Sequence, residues 1–214
     1  MTDTTANNYE LMSSKLILAS ASPRRRELLK LVGLNFEIIP SDADEAFLKG
    51  ETPEEHVLRL SEEKASTISS HNPDAWVLGA DTIVIINREV LGKPVAVDEA
   101  REMLQKLSAK KHKVITGFCL IRKNTDIMIR DTVESTVVFK EIPEDEIAWY
   151  VRTKEPYDKA GGYAVQGMGA FFIKEIHGSY TNVVGLPICE VMETLKEIGA
   201  IRFSKGGIYV HGKG

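Results

Sequence analysis

The sequence predicts an α/β fold. Short apolar runs of strand length alternate with segments of helical periodicity through most of the chain, an order typical of α/β proteins. The 214 residues are 43% hydrophobic and 27% charged, which is the composition of a globular chain that can bury a core. No internal repeat or linker is visible, so we expect one domain over residues 15–199 between a flexible N-terminal tail (1–14) and a C-terminal tail (200–214).

The first half of the chain reads as two strand and helix pairs. Ser22 and Pro23 have the residue types of an N-cap and a first helical position, and Gly33 stops that helix. Thr52 and Glu55 form a capping box that begins a second helix. The predicted strands are Lys15–Ala19 and Phe36–Pro40, and the second helix runs from Pro53 to about Ser70.

Strands dominate the middle of the chain. Two apolar runs, Trp76–Leu78 and Ile83–Ile86, read as separate strands around Gly79-Ala80-Asp81-Thr82. Gly199 marks the end of the last helix, and residues 200–214 read as a polar tail with one short strand. The other predicted elements are strands at Val90-Leu91, Val114–Ile121 and Thr132–Phe139, and helices at Asp98–Leu107, from Pro143, and at Pro187–Ile198.

Charge and apolar patterning exclude several protein classes. The longest unbroken apolar stretch, Ile83–Ile86, is far shorter than the roughly 20 residues of a membrane span, and residues 1–14 lack the features of a signal peptide. Cys119 and Cys189 lie far apart without a CxxC pair, so we expect two core cysteines, no zinc site and a cytoplasmic protein. A net charge of −4 disfavours a nucleic-acid coat.

The segment Ser20-Ala21-Ser22-Pro23-Arg24-Arg25-Arg26 is the sharpest chemical signal. It combines hydroxyls, free backbone N–H groups and guanidinium groups at a helix start, and this combination binds phosphate. The alternative is a capped helix with a solvated basic first turn. Because cations are unfavourable at a helix N-terminus, three arginines there favour an anion site.

A lysine interrupts the apolar seam of the second helix. Lys64 lies at the same helical phase as Val57, Leu60 and Ile68. It either meets a buried anion or lays its stem on the core while its ammonium reaches water. This helix alone does not decide between the two.

Acidic residues at two places allow either a structural or a catalytic interpretation. Asp81 lies between two apolar strand segments, where an acid either caps a bend or serves as a catalytic carboxylate. Asp42, Asp44 and Glu45 follow the second strand, and they either are solvated or offer hard oxygen ligands to Mg²⁺.

Two loops contain glycine, which permits close backbone approach, and lysine, which supplies a point charge. They are Leu91-Gly92-Lys93-Pro94 and the longer segment 154–167, which includes Lys159 and Gln166. Long glycine-rich loops are typical of binding sites, although either loop could be only a turn. The Gln166 amide offers a donor and an acceptor together, as recognition of a base edge requires.

Five short motifs follow one another along residues 15–198. They are Leu18-Ala19-Ser20-Ala21-Ser22-Pro23-Arg24-Arg25, Gly79-Ala80-Asp81-Thr82, Gly92-Lys93-Pro94, Asp158-Lys159-Ala160-Gly161 and Asn182-Val183-Val184-Gly185-Leu186-Pro187. Together they resemble the Maf family of nucleoside triphosphate pyrophosphatases. The resemblance implies a Maf/Ham1-like α/β fold, with a mixed curved sheet, flanking helices and two lobes around a deep substrate cleft. It also implies release of pyrophosphate from a nucleoside triphosphate with Mg²⁺ or Mn²⁺, and is consistent with a homodimer.

The resemblance implies roles for the matching residues. Asp81 would be the proton acceptor that activates water, and Glu45 and Asp81 would bind the metal. Arg24, Thr82 and Gln166 match the subgroup that acts on dTTP and UTP. The residues implied to hold or act on the triphosphate are Ser20, Arg24, Arg25, Lys64, Lys93 and Lys159.

A function from another class stays open at this point. The same anion-binding cleft could belong to a non-enzymatic nucleotide-binding regulator of cell division or septum formation, since the family name is also associated with septum formation. Such a protein would bind nucleotide without forming product. A nucleic-acid binder acting through Arg24–Arg26 is disfavoured, because the chain is acidic and aromatic residues do not interleave with the basic ones.

Overall fold

The computed structural model describes residues 15–210, which form nine strands and six α-helices. The predicted N-terminal tail (1–14) lies outside these residues. The strands are β1 (Leu16–Leu18), β2 (Glu37–Ile38), β3 (Trp76–Ile86), β4 (Glu89–Leu91), β5 (Lys111–Arg122), β6 (Ile127–Phe139), β7 (Ile173–His177), β8 (Ile201–Ser204) and β9 (Gly207–Val210). The helices are α1 (Pro23–Leu31), α2 (Pro53–Ser69), α3 (Val97–Leu107), α4 (Glu144–Tyr150), α5 (Tyr180–Val184) and α6 (Ile188–Glu197).

Strands β1 to β7 form one mixed sheet in the order β2-β1-β3-β5-β6-β7, with β4 also paired to β3. β1 runs parallel to β2 and β3, and the other neighbours are antiparallel. The predicted start of α2 is confirmed, since Thr52 Oγ1 accepts from the Glu55 N–H and Glu55 Oε2 accepts from the Thr52 N–H. The α/β class is therefore confirmed.

One edge of β3 is shared by two short strands that leave a gap between them. β1 pairs with Trp76–Leu78, and β4 pairs with Val84–Ile86. Residues 79–83 lie between these partners, while β5 pairs with β3 continuously along the opposite edge. A backbone carbonyl in the gap still needs a donor, and the Arg25 guanidinium supplies one to Ala80 O at 2.8 Å. The gap opens the sheet beside Asp81.

The helix α2 lies directly on the backbone of the sheet at two glycines. A Cβ atom at Gly79 would lie 2.1 Å from the Ser61 carbonyl oxygen, and one at Gly117 would lie 2.5 Å from the Val57 carbonyl oxygen. Asp81 and Gly117 are directly paired in neighbouring strands. These close approaches therefore bring α2 down onto the part of β3 that carries Asp81.

Two apolar clusters occupy opposite ends of β3. One contains Trp76 and Leu78 and packs with α1, α6 and the last hairpin. The other contains Val84 and Ile86 and packs with α3 and α4. The gap in the β3 edge falls between the two clusters, so the expected two lobes around a cleft are confirmed.

The prediction of two strands around Gly79–Thr82 is wrong. β3 is continuous from Trp76 to Ile86, because β5 pairs with every residue from Val77 to Ile85. Asp81 therefore lies inside a strand and does not cap a bend. The local sequence did not show this, since the partner strand is more than 30 residues away.

The prediction of a polar C-terminal tail with one short strand is also wrong for residues 201–210. β8 and β9 form an antiparallel hairpin in which Ile201 pairs with Val210, and both side chains are buried against the first apolar cluster. Each strand has only four residues, so the apolar alternation is too short to stand out from the polar composition. The domain boundaries themselves stay predictions.

Of the two cysteines predicted in the core, only Cys119 is buried. Cys189 is exposed and neither forms a disulfide. Cys189 lies between the buried Ile188 and the half-buried Glu190 at the start of α6. The helix turns this position towards solvent.

Candidate active site

A cleft of about 720 Å³ opens at the gap in the β3 edge. This volume is in the range of small-molecule sites. It is bounded by the loop after β1, the β3 gap, the β4 turn and the loop before β7. Nine of the ten predicted site residues line it: Ser20, Arg24, Arg25, Glu45, Lys64, Asp81, Thr82, Lys93 and Lys159.

The buried Lys64 ammonium joins two carboxylates. Its Nζ lies 2.8 Å from Asp81 Oδ1 and 2.8 Å from Glu45 Oε1, and its side chain is 7% exposed. Lys93 Nζ lies 3.1 Å from the other Glu45 oxygen. The seam residue of α2 therefore meets one buried carboxylate, Asp81, and one half-exposed carboxylate, Glu45, and the alternative of a solvent-reaching ammonium is wrong.

The two lysines control the ionisation of Glu45. Partial burial is the largest single effect and raises its pKa, but the hydrogen bonds and charges of Lys64 and Lys93 together outweigh it and lower the pKa to about 2. Glu45 is therefore a carboxylate at neutral pH. Its half-exposed side chain leaves it accessible from the cleft.

A partly buried ion pair holds the irregular segment that follows Glu45. Arg59, on α2, donates from Nε to Glu51 Oε1 at 2.6 Å and from Nη2 to Ala46 O at 3.0 Å. The ring of Phe47 stacks on that of His56 with centroids 3.5 Å apart. These contacts hold both ends of the segment 46–51, which directly follows Glu45. Glu45 therefore has a defined position although it belongs to no helix or strand. Sequence reasoning did not identify Arg59 or Glu51.

Arg25 is buried and uses four of its five N–H donors within the protein. Nε donates to Gly185 O at 2.8 Å, and Nη1 donates to Ala80 O and to Ser20 Oγ. Nη2 donates to Thr82 Oγ1 at 3.0 Å. Burial, the largest effect, lowers the pKa of the guanidinium, and the Asp81 charge opposes that shift. The geometry gives Arg25 a structural task, beyond the substrate contact that the resemblance implies.

Ser20 is oriented by two donors. Its Oγ accepts from Arg25 Nη1 at 3.1 Å and from the Ser22 N–H at 3.2 Å. Since both interactions use oxygen lone pairs, the hydroxyl proton is available to an anionic ligand in the cleft.

Arg24 and Lys159 face each other across Asp158. Arg24 Nη1 lies 3.5 Å from Asp158 Oδ2, and the Lys159 ammonium pairs with the other oxygen of the same carboxylate. Lys159 Nζ also donates to Glu155 O at 2.9 Å. Two cations around one carboxylate leave net positive charge at this end of the cleft.

The three residues expected to set base preference are placed differently. Arg24 and Thr82 both line the cleft. The Thr82 hydroxyl, however, is already hydrogen-bonded to Arg25, to Thr116 Oγ1 at 2.9 Å and to Gly185 O. Gln166 is exposed and is not among the lining residues, although its neighbour Val165 is. The specificity role of Gln166 stays a prediction.

A buried tyrosine forms part of the cleft wall and is hydrogen-bonded to a buried histidine. Tyr163 lines the cleft and its hydroxyl lies 2.7 Å from His112 Nε2, while His112 Nδ1 is buried without a partner among the described residues. Burial lowers the pKa of His112 to about 4. Sequence reasoning did not single out this pair.

We expect the free energy of unfolding to decrease as pH falls from about 6.5, the ordinary pKa of His112, to about 4, its pKa in the folded protein. The unfolded chain takes up a proton in this window and the folded protein does not, so the cost approaches roughly 3 kcal/mol at the acid end. Urea unfolding at several pH values measures it. The variant His112→Phe should lose this part of the pH dependence, and an identical slope in both proteins would contradict the assignment.

The carboxylates of the cleft suit one kind of metal. Within residues 15–210, no group of three or more His, Cys, Asp or Glu side chains is placed to hold an ion. Glu45 and Asp81, which share Lys64, are a pair of hard oxygen donors. Mg²⁺ is commonly bound by one or two carboxylates together with substrate phosphates and water. The pair therefore fits a divalent cation whose coordination is completed by phosphate oxygens of the substrate.

None of the helices described is both long and apolar enough to cross a lipid bilayer.

Comparison with known proteins places these features in context. A family model described as Maf-like protein matches residues 15–198. A relative from Syntrophus aciditrophicus (strain SB), named dTTP/UTP pyrophosphatase, is 62% identical over 194 residues, covering 91% of this chain and 95% of the relative. Another of that name, from Geotalea uraniireducens (strain Rf4), is 48% identical over 188 residues, covering 88% and 97%. Among solved structures, the Staphylococcus aureus Ham1 protein is 15% identical with a TM-score of 0.44, covering 75% of this chain and 80% of that one.

Proposed function

Because the chain belongs to the Maf family, we propose that it hydrolyses dTTP and UTP to the monophosphate and pyrophosphate. The observation that carries the proposal is the Lys64 ammonium held between Asp81 and Glu45 at the floor of a cation-lined cleft. Full-length relatives at 62% and 48% identity, both named dTTP/UTP pyrophosphatase, support the same substrates.

Asp81 is the proton acceptor in this proposal. Lys64 binds Oδ1, which fixes the carboxylate and leaves Oδ2 to take a proton from the attacking water. Because β5 pairs with the Asp81 backbone along one edge of β3 and Lys64 holds the Asp81 side chain, the base is positioned before substrate arrives. Positioning of this kind accounts for much of the rate in phosphate chemistry.

The triphosphate is bound by the cations and hydroxyl of the cleft. Ser20 donates its hydroxyl proton to a phosphate oxygen, and Arg24, Lys93 and Lys159 offset the charge that develops on the leaving pyrophosphate. Arg25 contributes one remaining N–H and holds Ser20 in place. The cationic side chains lie on several separate elements, so they can contact all three phosphates of the substrate.

A divalent cation, Mg²⁺ or Mn²⁺, is the cofactor we propose, with Glu45 and Asp81 as its protein ligands. When bound, such an ion neutralises charge on the phosphate oxygens. Glu45 is suited to this task because its low pKa keeps it ionised.

Pyrophosphate release from a panel of canonical and modified nucleoside triphosphates, with Mg²⁺ or Mn²⁺, tests the function. Release from dTTP and UTP above the other nucleotides supports the proposal. Saturable dTTP binding without pyrophosphate would instead favour the non-enzymatic regulator of cell division. The names of the relatives favour the enzyme.

We also propose a cytoplasmic protein, since neither cysteine forms a disulfide. The homodimer that the family resemblance allows stays a prediction, which light scattering can test.

The variant Gln166→Glu should lose kcat/KM for dTTP and UTP by about tenfold, because a carboxylate cannot donate the amide hydrogen bond to a base. Gln166 is exposed, so the free energy of unfolding should change by no more than about 0.5 kcal/mol. Steady-state kinetics with dTTP, UTP, CTP and ATP measures the effect. An equal loss for all four nucleotides would contradict base recognition by this residue.

A further inference from the structure

Glu155 joins the two ends of the long loop formed by residues 155–169. Its Oε1 accepts from the Tyr150 hydroxyl at 2.8 Å and from the Gly169 N–H at 2.8 Å. Its Oε2 accepts from the Met168 N–H at 2.9 Å. The side-chain carboxylate of the first residue of the loop thus binds backbone N–H groups at the end of the same loop.

The Glu155 carboxylate occupies the space that a side chain at position 167 would need. Gly167 has φ −177°, an extended conformation open to any residue. A Cβ atom there would nevertheless lie 2.3 Å from Glu155 Oε2. The carboxylate would have to shift to make room for such a Cβ, and a shift would disturb its three hydrogen bonds. Positions 155 and 167 are therefore coupled through contact rather than through backbone conformation.

The loop closed by Glu155 carries one whole wall of the cleft. Asp158, Lys159 and the run 163–165 line the cleft, and Gln166 comes directly before the residues that Glu155 binds. Lys159 Nζ also donates to the Glu155 backbone oxygen at 2.9 Å. The position of Gln166 relative to the cleft thus depends on a backbone that Glu155 holds.

We propose that Glu155 is a positioning residue for base recognition, which fixes the backbone at 167–169 and thereby directs Gln166 towards the base. The inference rests on the proposed function, in which Gln166 contacts the base. Glu155 acts as a carboxylate: burial raises its pKa, but the hydrogen bonds from Gly169, Met168 and Tyr150 outweigh burial and lower it. Three donors converge on it, so a neutral group of the same shape cannot replace it.

The variant Glu155→Gln tests this role, because it keeps the shape and replaces one acceptor oxygen by an NH₂ group. We expect KM for dTTP and UTP to rise about tenfold, with kcat changed less than about threefold, since the hydrogen bonds to a charged group are lost away from the reacting phosphate. The inhibition constant of inorganic triphosphate, which can reach only the cations, should not change. Gly167→Ala should give the same pattern with Glu155 intact, and the double variant should be no worse than either single one.

The matched control is Glu141→Gln, which makes the same charge change at an exposed position. Thermal unfolding of each variant shows whether it is folded. An unchanged KM in Glu155→Gln would overturn the inference, as would additive effects in the double variant. An equal rise in the inhibition constant of triphosphate would also overturn it, since the loss would then not concern the base.

A separate measurement distinguishes this inference from the proposed function. If the parent protein binds dTTP without hydrolysing it, the proposed function fails and dTTP dissociation constants replace KM in the same comparison. Hydrogen exchange of residues 156–167 should then be faster in both variants than in the parent protein. Equal exchange in all three proteins, or no nucleotide binding by the parent, overturns the inference.

Discussion

Replacement of Asp81 by Asn should lower kcat for pyrophosphate release by about 10³-fold, the size of effect expected for loss of a general base. The asparagine oxygen can still accept from Lys64, which lies 2.8 Å from Asp81 Oδ1, but its amide cannot take a proton from water. Because the side chain keeps its shape and its strand position, the protein should remain folded. Pyrophosphate release and urea unfolding, measured on the same preparation, check both parts.

Two comparisons define what the Asp81→Asn result means. Asp42→Asn makes the same charge change at an exposed residue of the segment before Glu45 and should keep the parental rate. Titration with Mg²⁺ separates the two roles of Asp81, since recovery of the rate at high Mg²⁺ would indicate a lost metal ligand. An undiminished rate in Asp81→Asn would remove Asp81 from the reaction altogether.

The variant Arg25→Met should reduce the free energy of unfolding by about 4 kcal/mol, even though Arg25 lies in a motif that suggests phosphate binding. The buried carbonyls of Ala80 and Gly185 each lose a donor at 2.8 Å. The hydroxyls of Ser20 and Thr82 each lose the hydrogen bond that Arg25 donates to them. Methionine fills similar volume but donates nothing. Urea unfolding measures the change.

The control for Arg25→Met is its neighbour in α1. Arg26 is half-exposed, and its guanidinium pairs with Glu27 on the surface. Arg26→Met should therefore shift the free energy of unfolding by no more than about 0.5 kcal/mol. Equal stabilities for the two variants would show that the buried hydrogen bonds of Arg25 contribute little.

Local sequence predicted the parts of the fold that depend on neighbours along the chain. The helices after Ser22 and Thr52 begin where their capping residues indicate, and helical periodicity placed Lys64 on the apolar seam of α2 while leaving open whether its ammonium is buried. Short-range hydrogen bonds and helical periodicity determine these features, so a single sequence contains enough information to identify them.

Features that depend on distant partners were not predictable in the same way. The sequence does not distinguish the three adjacent arginines, yet only Arg25 is buried. Its hydrogen-bond acceptor, the carbonyl of Gly185, lies 160 residues further along the chain. The placement of Glu45 depends on Arg59 and Glu51, which lack a motif of their own. Within the site, the sequence could therefore give residue types but not the network that holds them.

The contact of α2 with Gly79 and Gly117 has a consequence for how this protein can change. Because the helix contacts main-chain atoms at these two points, van der Waals contact between backbone atoms limits how closely α2 approaches the sheet. We therefore expect apolar substitutions between α2 and the sheet, such as at Ile68 on α2 or Ile115 on β5, to change the separation of Lys64 and Asp81 little. The geometry of the proposed active site is then less sensitive to changes in the hydrophobic core.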